Sequence, residues 1–225
     1  RLEEAEAILF KAWTGEPFTH HGRFWDIQVP MLRPRPFSPR PPMIRAASGE
    51  ASMVELARQG RPFLMNVQSN EVTRHRIDLY CRTLRESGHD DAAIARCLDD
   101  CWAWRNVVVA ETDAEAARVG IPAFEAMQTQ RAAMRERIYA ETGQRLHAPA
   151  PAVPAARTVV EHALIHGSPA TVAEALSKVA ATGIGGLIMQ FRLGPMPYEV
   201  AAQSLSLFMH QVRPALGGQR PPLPR

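Results

Sequence analysis

Ala46-Ala47-Ser48-Gly49 lies between a short apolar run and a helical pattern, and this is where the chain offers a place for chemistry. Small side chains at a strand end, a serine placed to cap and a glycine leave helix N–H groups free to meet an anion, phosphate above all. The same residue types also describe an ordinary strand-to-helix turn with a capping serine, and alone they do not separate the two. Asn66 closes a second apolar run over 62–67. It either presents its amide to a ligand or serves as a strand-terminal turn residue.

Other reactive residue types fall at less useful spacings. His20-His21 has no third ligand nearby and reads as two surface histidines in a loop. His162 and His166 stand four apart, but alanine follows His162 where metalloprotease chemistry needs glutamate. Asp90-Asp91 and Asp99-Asp100 read as helix-end charges. Gly183-Ile184-Gly185-Gly186 follows a helix and precedes a strand, the reverse of the order a nucleotide-binding glycine loop requires. No metal site and no catalytic base emerges from spacing.

The elements that must position these residues are legible in part. Leu2, Ala5, Ile8, Leu9, Ala12 and Trp13 recur at helical spacing, and Gly15 and Pro17 stop the helix. The chain opens on Arg1 inside that helix and reads as a piece that begins part-way through a fold. Trp25, Ile27 and Val29 alternate as a short extended segment, and the prolines and arginines of 31–42 form a stiff crossing. Strands are expected at 43–47, 62–67, 102–110 and 186–191, the last two rich in branched or apolar residues. Helices are expected to follow each. Ser48 caps one that ends at Gly60, and Ser69 or Asn70 caps one that ends at Gly88. Thr112-Asp113-Ala114-Glu115 forms a capping box, Pro122 starts a long helix to Thr142, and Ser168-Pro169 opens another. A Pro/Ala connector spans 148–156, and a loose proline-rich tail spans 217–225.

Composition narrows the function classes. With 46% apolar and 22% charged residues, this is the make-up of a globular domain with a substantial core. A net charge of +3 with scattered arginines excludes a nucleic-acid-binding stripe. No apolar run approaches the ~18 residues needed to span a bilayer, so no membrane partner is expected. Three cysteines, Cys81, Cys97 and Cys101, without zinc spacing read as reduced thiols of a cytoplasmic protein. Strands alternating with helices call for a parallel sheet, in the pattern of half a (β/α)8 barrel whose ligands sit at the carboxyl ends of the strands. A complete flavodoxin-like sheet competes, but the long irregular connections fit it poorly.

Several stretches then form an ordered set: W-T-G-E-P-F at 13–18, G-R-F-W at 22–25, L-R-P-R-P at 32–36 and P-P-M-I-R-A-A-S at 41–48. V-V-V-A-E-T-D-A-E-A at 107–116, G-S-P-A-T-V-A-E-A-L at 167–176 and G-P-M-P-Y-E at 194–199 continue it. This set resembles the bacterial luciferase-like flavin-dependent monooxygenase family. The resemblance implies an α/β fold, the C-terminal half of a TIM barrel with strands 5–8, and a single barrel domain covering residues 1–216. It implies reduced FMN, or the deazaflavin F420 as alternative, with oxygen forming a peroxyflavin that oxygenates a small organic substrate. It further implies a flavin reductase as the source of reduced cofactor, and a homo- or hetero-oligomer. Ala46, Ala47, Ser48 and Gly49 match the small-residue strand end beside the flavin, and Asn66 joins them as a cofactor-binding candidate. Arg45 departs from the apolar residue commonly found there. None of the eight histidines falls in a matching motif, so no catalytic residue is carried over. An F420-dependent oxidoreductase and a noncatalytic flavin-binding subunit are the other readings the resemblance allows.

Overall fold

The computed structural model describes residues 1–38, 41–47, 49–143 and 156–217. The chain divides into two compact units, residues 1–43 and 44–225.

In the first unit, helix α1 (Leu2–Trp13) precedes an antiparallel hairpin of β1 (Phe18–His21) and β2 (Asp26–Val29), paired from Phe18↔Val29 to His21↔Asp26. The expectation of loop histidines is corrected here. His20 and His21 lie in a strand, and each bonds a carboxylate: Nε2 of His20 meets Glu4 at 3.1 Å, and Nδ1 of His21 meets Asp26 at 2.8 Å. Glu4 also accepts the N–H groups of Phe24 and Trp25, at 3.1 and 3.0 Å, which fixes the turn of the hairpin to the helix. Burial pushes the Glu4 carboxyl up, but the N–H bonds and the His20 ring outweigh it and hold the pKa below its ordinary value.

The second unit is an α/β structure on a parallel sheet. Its strands are β3 (Arg45–Ala47), β4 (Phe63–Met65), β5 (Trp102–Val109), β6 (Leu164–Gly167) and β7 (Gly186–Gln190). The strand β5 is central. It pairs with β4 at Trp102–Ala103, with β7 from Trp102 to Asn106, and with β6 from Asn106 to Val109, while β3 lies beyond β4. Helices α2 (Glu50–Arg58), α3 (Asn70–Glu86), α4 (Asp91–Asp99), α5 (Asp113–Thr142), α6 (Val160–Ala163), α7 (Pro169–Ala180), α8 (Tyr198–Leu207) and α9 (Arg213–Ala215) connect and follow them.

Local chemistry accounts for most boundaries. The side chains of Ser69, Asp90, Thr112 and Ser168 accept the N–H groups of Val72, Ala93, Glu115 and Thr171, capping α3, α4, α5 and α7. Each such cap contributes roughly 1 kcal/mol. Gly60 and Gly88, at φ of 63° and 87°, end α2 and α3 in the left-handed conformation that glycine adopts without a steric cost.

Three expectations change. A fifth strand of this sheet, β6, lies outside the four expected stretches; at four residues it is too short to show periodicity. Pro122 does not begin a helix but lies inside the 30-residue α5. Its missing N–H falls in the third turn, where it removes one helical bond. The N-cap of α2 is Gly49, without a side-chain cap; Ser48 lies outside the described residues, as do the expected connector except Ala156 and the tail except Gly217.

Packing follows the alternation of β5. Ala103, Val107 and Val109 face one side. There they join a cluster with Met53, Leu56, Ile77, Leu84, Ile94 and Leu98 of α2 to α4, and another with Val172, Leu176, Phe208 and Val212. Trp104 and Val108 face the other, against Phe124 and Met127 of α5 and Leu193 and Met196. Gly120 lets α5 approach closely: a Cβ there would lie 3.3 Å from Val108. Burying each large apolar side chain contributes about 1.5–3 kcal/mol.

Candidate functional site

Adjacent strand ends bring most of the expected residues together. The register pairs Ala46 with Leu64 and Ala47 with Met65, so residue 48 and Asn66 each follow directly on paired strand ends. Ala47 is buried and Ala46 exposed. Gly49 follows in extended backbone (φ −136°, ψ 167°), and a Cβ built on it would meet no atom within 4 Å. Gly49 gives the first N–H groups of α2 no side-chain cap, and free donors at a helix start favour an anion. Glu50 in the first turn faces His75 of α3 at 3.6 Å.

Asn66 is half-buried, and its carboxamide oxygen accepts from Gln68 Nε2 at 2.8 Å. That bond orients its amide at the end of β4. Arg45 is drawn elsewhere: its Nη2 donates to Glu55 Oε2 of α2 at 3.0 Å, tying strand to helix. The next two strand ends are joined as well. Ser168 N–H donates to Asp113 Oδ1 at 2.6 Å, and Ala110 N–H to Gly167 O at 3.1 Å.

Two residues in the middle of β5 escaped the sequence reading. Arg105 is 1% exposed and Asn106 is 2% exposed. Asn106 Nδ2 donates to Ala163 O at 2.8 Å, and its Oδ1 has no hydrogen-bond partner among the described residues. Arg105 Nη1 donates to Trp104 O at 2.8 Å; Nη2 has no partner among the described residues. The signal available was the polar pair R-N set within an otherwise apolar strand, W-A-W-R-N-V-V-V-A. His162 lies in α6 and His166 in β6, so they do not share one helix face. Among the described residues no group of three or more His, Cys, Asp or Glu side chains is placed to hold a metal ion.

The family model described as luciferase-like monooxygenase matches residues 1–185. The chain belongs to this family. Solved structures place the luciferase-like chain on the same fold. It aligns with the monooxygenase RslO1 of Streptomyces bottropensis at 20% identity and a TM-score of 0.70, covering 96% of this chain and 60% of that one. With the oxygenating constituent of 3,6-diketocamphane monooxygenase from Pseudomonas putida, solved in complex with FMN, identity is 21% and the TM-score 0.67, over 98% and 64% of the two chains. With the coenzyme F420-dependent tetrahydromethanopterin reductase of Methanopyrus kandleri these values are 15% and 0.62, over 96% and 63%. The luciferase-like chain thus spans about three fifths of the length of these structures. No curated protein matches it. Among the described residues, no helix is long and apolar enough to cross a membrane.

Proposed function

We propose that this chain is the C-terminal half of a luciferase-like barrel, residues 1–216 with a short tail, and that the barrel is a flavin-dependent monooxygenase acting on a small organic substrate. The observation that carries the reading is the uncapped N-terminus of α2, at a strand end of small residues beside Asn66, in a chain of this family. The residues fit a phosphate-bearing cofactor. A Cβ at Gly49 would meet no described atom within 4 Å, and Gly49 itself offers no side-chain cap to the donors of the first turn. Ala46, Ala47, Ser48 and Gly49 would hold the phosphate end of FMN, with Asn66 supplying an amide from the next strand. When bound, the reduced flavin supplies the electrons that activate oxygen. The chain's own part is to clamp the anion, to keep bulk away from the strand end at Ala46 and Ala47, and to keep water out through the packed apolar strands. A separate reductase delivers the reduced flavin, and the barrel works as an oligomer in the cytoplasm.

A second reading, F420 in place of FMN, is favoured by the likeness to the F420-dependent reductase. The deciding experiment is an anaerobic titration of the full-length protein with reduced FMN and with reduced F420, followed by admission of oxygen. Tight FMN binding and oxygen-dependent oxidation of added substrate are expected. F420 binding with no uptake of oxygen moves the assignment to the oxidoreductase reading, and binding of neither overturns the proposal. The 225-residue chain alone is expected to bind FMN poorly, because half a barrel leaves sheet edges uncovered.

A further inference from the structure

The buried guanidinium of Arg105 has no role in the cofactor site described above. It sits where β5 passes from one neighbour to the next: β4 pairs only as far as Ala103, and β6 only from Asn106. The gap between β4 and β6 opens into a cleft of about 240 Å³ lined by Arg105, by Ser69 and Asn70 at the start of α3, and by Thr171 and Lys178 of α7. An isolated buried cation is costly unless something pairs with it. Burial pushes the Arg105 pKa down to about 10, so at neutral pH the charge remains.

The carboxylates at the cleft do not answer it. Glu174 is engaged by Lys178 at 2.7 Å on the surface of α7, and Glu161 is exposed on α6 without a bond to Arg105. Meanwhile Ser69 and Asn70, at the positive N-terminal end of the 17-residue helix α3, line the same space, although Ser69 Oγ already takes the Val72 N–H. A buried unpaired cation and a long helix start converge on one cleft, and both favour the same kind of guest.

We infer that this cleft is a second binding site, for a small oxyanion carried as a phosphate or a carboxylate group, with Arg105 as its central contact. The guest's oxygens take the free Nη2 donors beside the positive end of α3, and Lys178 stands at the rim. The site does not depend on the flavin reading and is tested without any flavin.

The test follows thermal stability and calorimetric binding with inorganic phosphate and with succinate, against sodium chloride at matched ionic strength. Wild-type protein is expected to gain stability with one or both oxyanions but not with chloride. A stronger effect of phosphate assigns the guest as a phosphate ester, and a stronger effect of succinate as a carboxylate. Arg105→Met keeps length and removes the charge, so it should fold at least as well without ligand and bind the oxyanion at least about tenfold more weakly. Lys178→Ala, at an exposed position, should weaken binding to a smaller degree. Should Arg105→Met fail to fold, the Arg105 Nε–H resonance of the wild type provides the reading, and phosphate or succinate is expected to shift it. The proposal is overturned by an oxyanion effect no larger than that of chloride, by an unaltered effect in Arg105→Met, or by an unmoved Arg105 resonance.

Discussion

Asp113, in the first turn of α5, accepts the backbone N–H of Ser168, the cap of α7, at 2.6 Å. One carboxylate therefore fastens together the loops that leave β5 and β6, two neighbouring strands joined from Asn106↔Leu164 to Val109↔Gly167. Gly167 is required at the junction, since a Cβ there would lie 2.8 Å from Asp113 Oδ1 and from Thr171 Cβ.

This link makes stability depend on pH. The Ser168 N–H, followed by the Thr171 and Ser168 hydroxyls, holds the Asp113 carboxyl below its ordinary pKa. A carboxylate with a depressed folded pKa stabilises fully above its unfolded value, near about 3.9, and loses that contribution as pH falls through the folded value. Asp113→Asn is expected to lower the melting temperature at pH 7, and the gap to the wild type should close in strongly acidic buffer. Melting curves of both proteins from pH 7 to pH 3 check this; a gap that stays constant with pH refutes the role of the charge.

Asn106 offers a test of the sheet interior. Its Nδ2 donates to Ala163 O in a fully buried setting. Asn106→Ala removes that bond and leaves a small void, for an expected loss of about 1–3 kcal/mol in urea unfolding. Asn106→Leu refills the volume and also removes the unpaired Oδ1, so it should cost less than alanine.

What the sequence made legible follows from how locally each feature is determined. Thr112 through Glu115 and Ser168-Pro169 specify helix starts within four residues, and both form as read. The alternation of strands and helices carried the parallel α/β fold. β6 was missed because L-I-H-G holds a histidine and a glycine among four residues. The hairpin of β1 was missed because its His-His pair is satisfied by Glu4 and Asp26, partners that the local pattern does not reveal. Arg105 shows the same limit: its burial arises from three strands and α7 meeting around it, and no window of sequence contains them.

Thiol reactivity reports on the packing of the first cluster. Burial pushes the Cys101 thiol up to about 12, and burial likewise raises Cys97, whose Sγ donates to Gly60 O at 3.3 Å. Cys81 and Cys101 are buried, whereas Cys97 is partly exposed. At pH 8 a disulfide reagent should modify Cys97 slowly and spare the other two in the native protein, while all three react in denaturant. Rapid modification of Cys101 in the native state contradicts this packing.

The reading of the cofactor end rests on Gly49, where two properties can be pulled apart by one substitution. A carboxylate at a helix N-cap is favourable to the helix, because it faces the positive end of the macrodipole. Gly49 is extended at φ −136°, and a Cβ there would meet no described atom within 4 Å, so Gly49→Glu introduces no backbone strain and no clash at Cβ. The variant should therefore unfold at the same or a slightly higher urea concentration than the wild type. If the first turn of α2 clamps a phosphate, the new charge repels it, and FMN affinity of the full-length protein should fall on the order of tenfold or more. Riboflavin, which lacks the phosphate, should bind both proteins equally. A variant that keeps its FMN affinity would show that the phosphate lies elsewhere, whereas loss of riboflavin binding as well would trace the defect to the ring pocket.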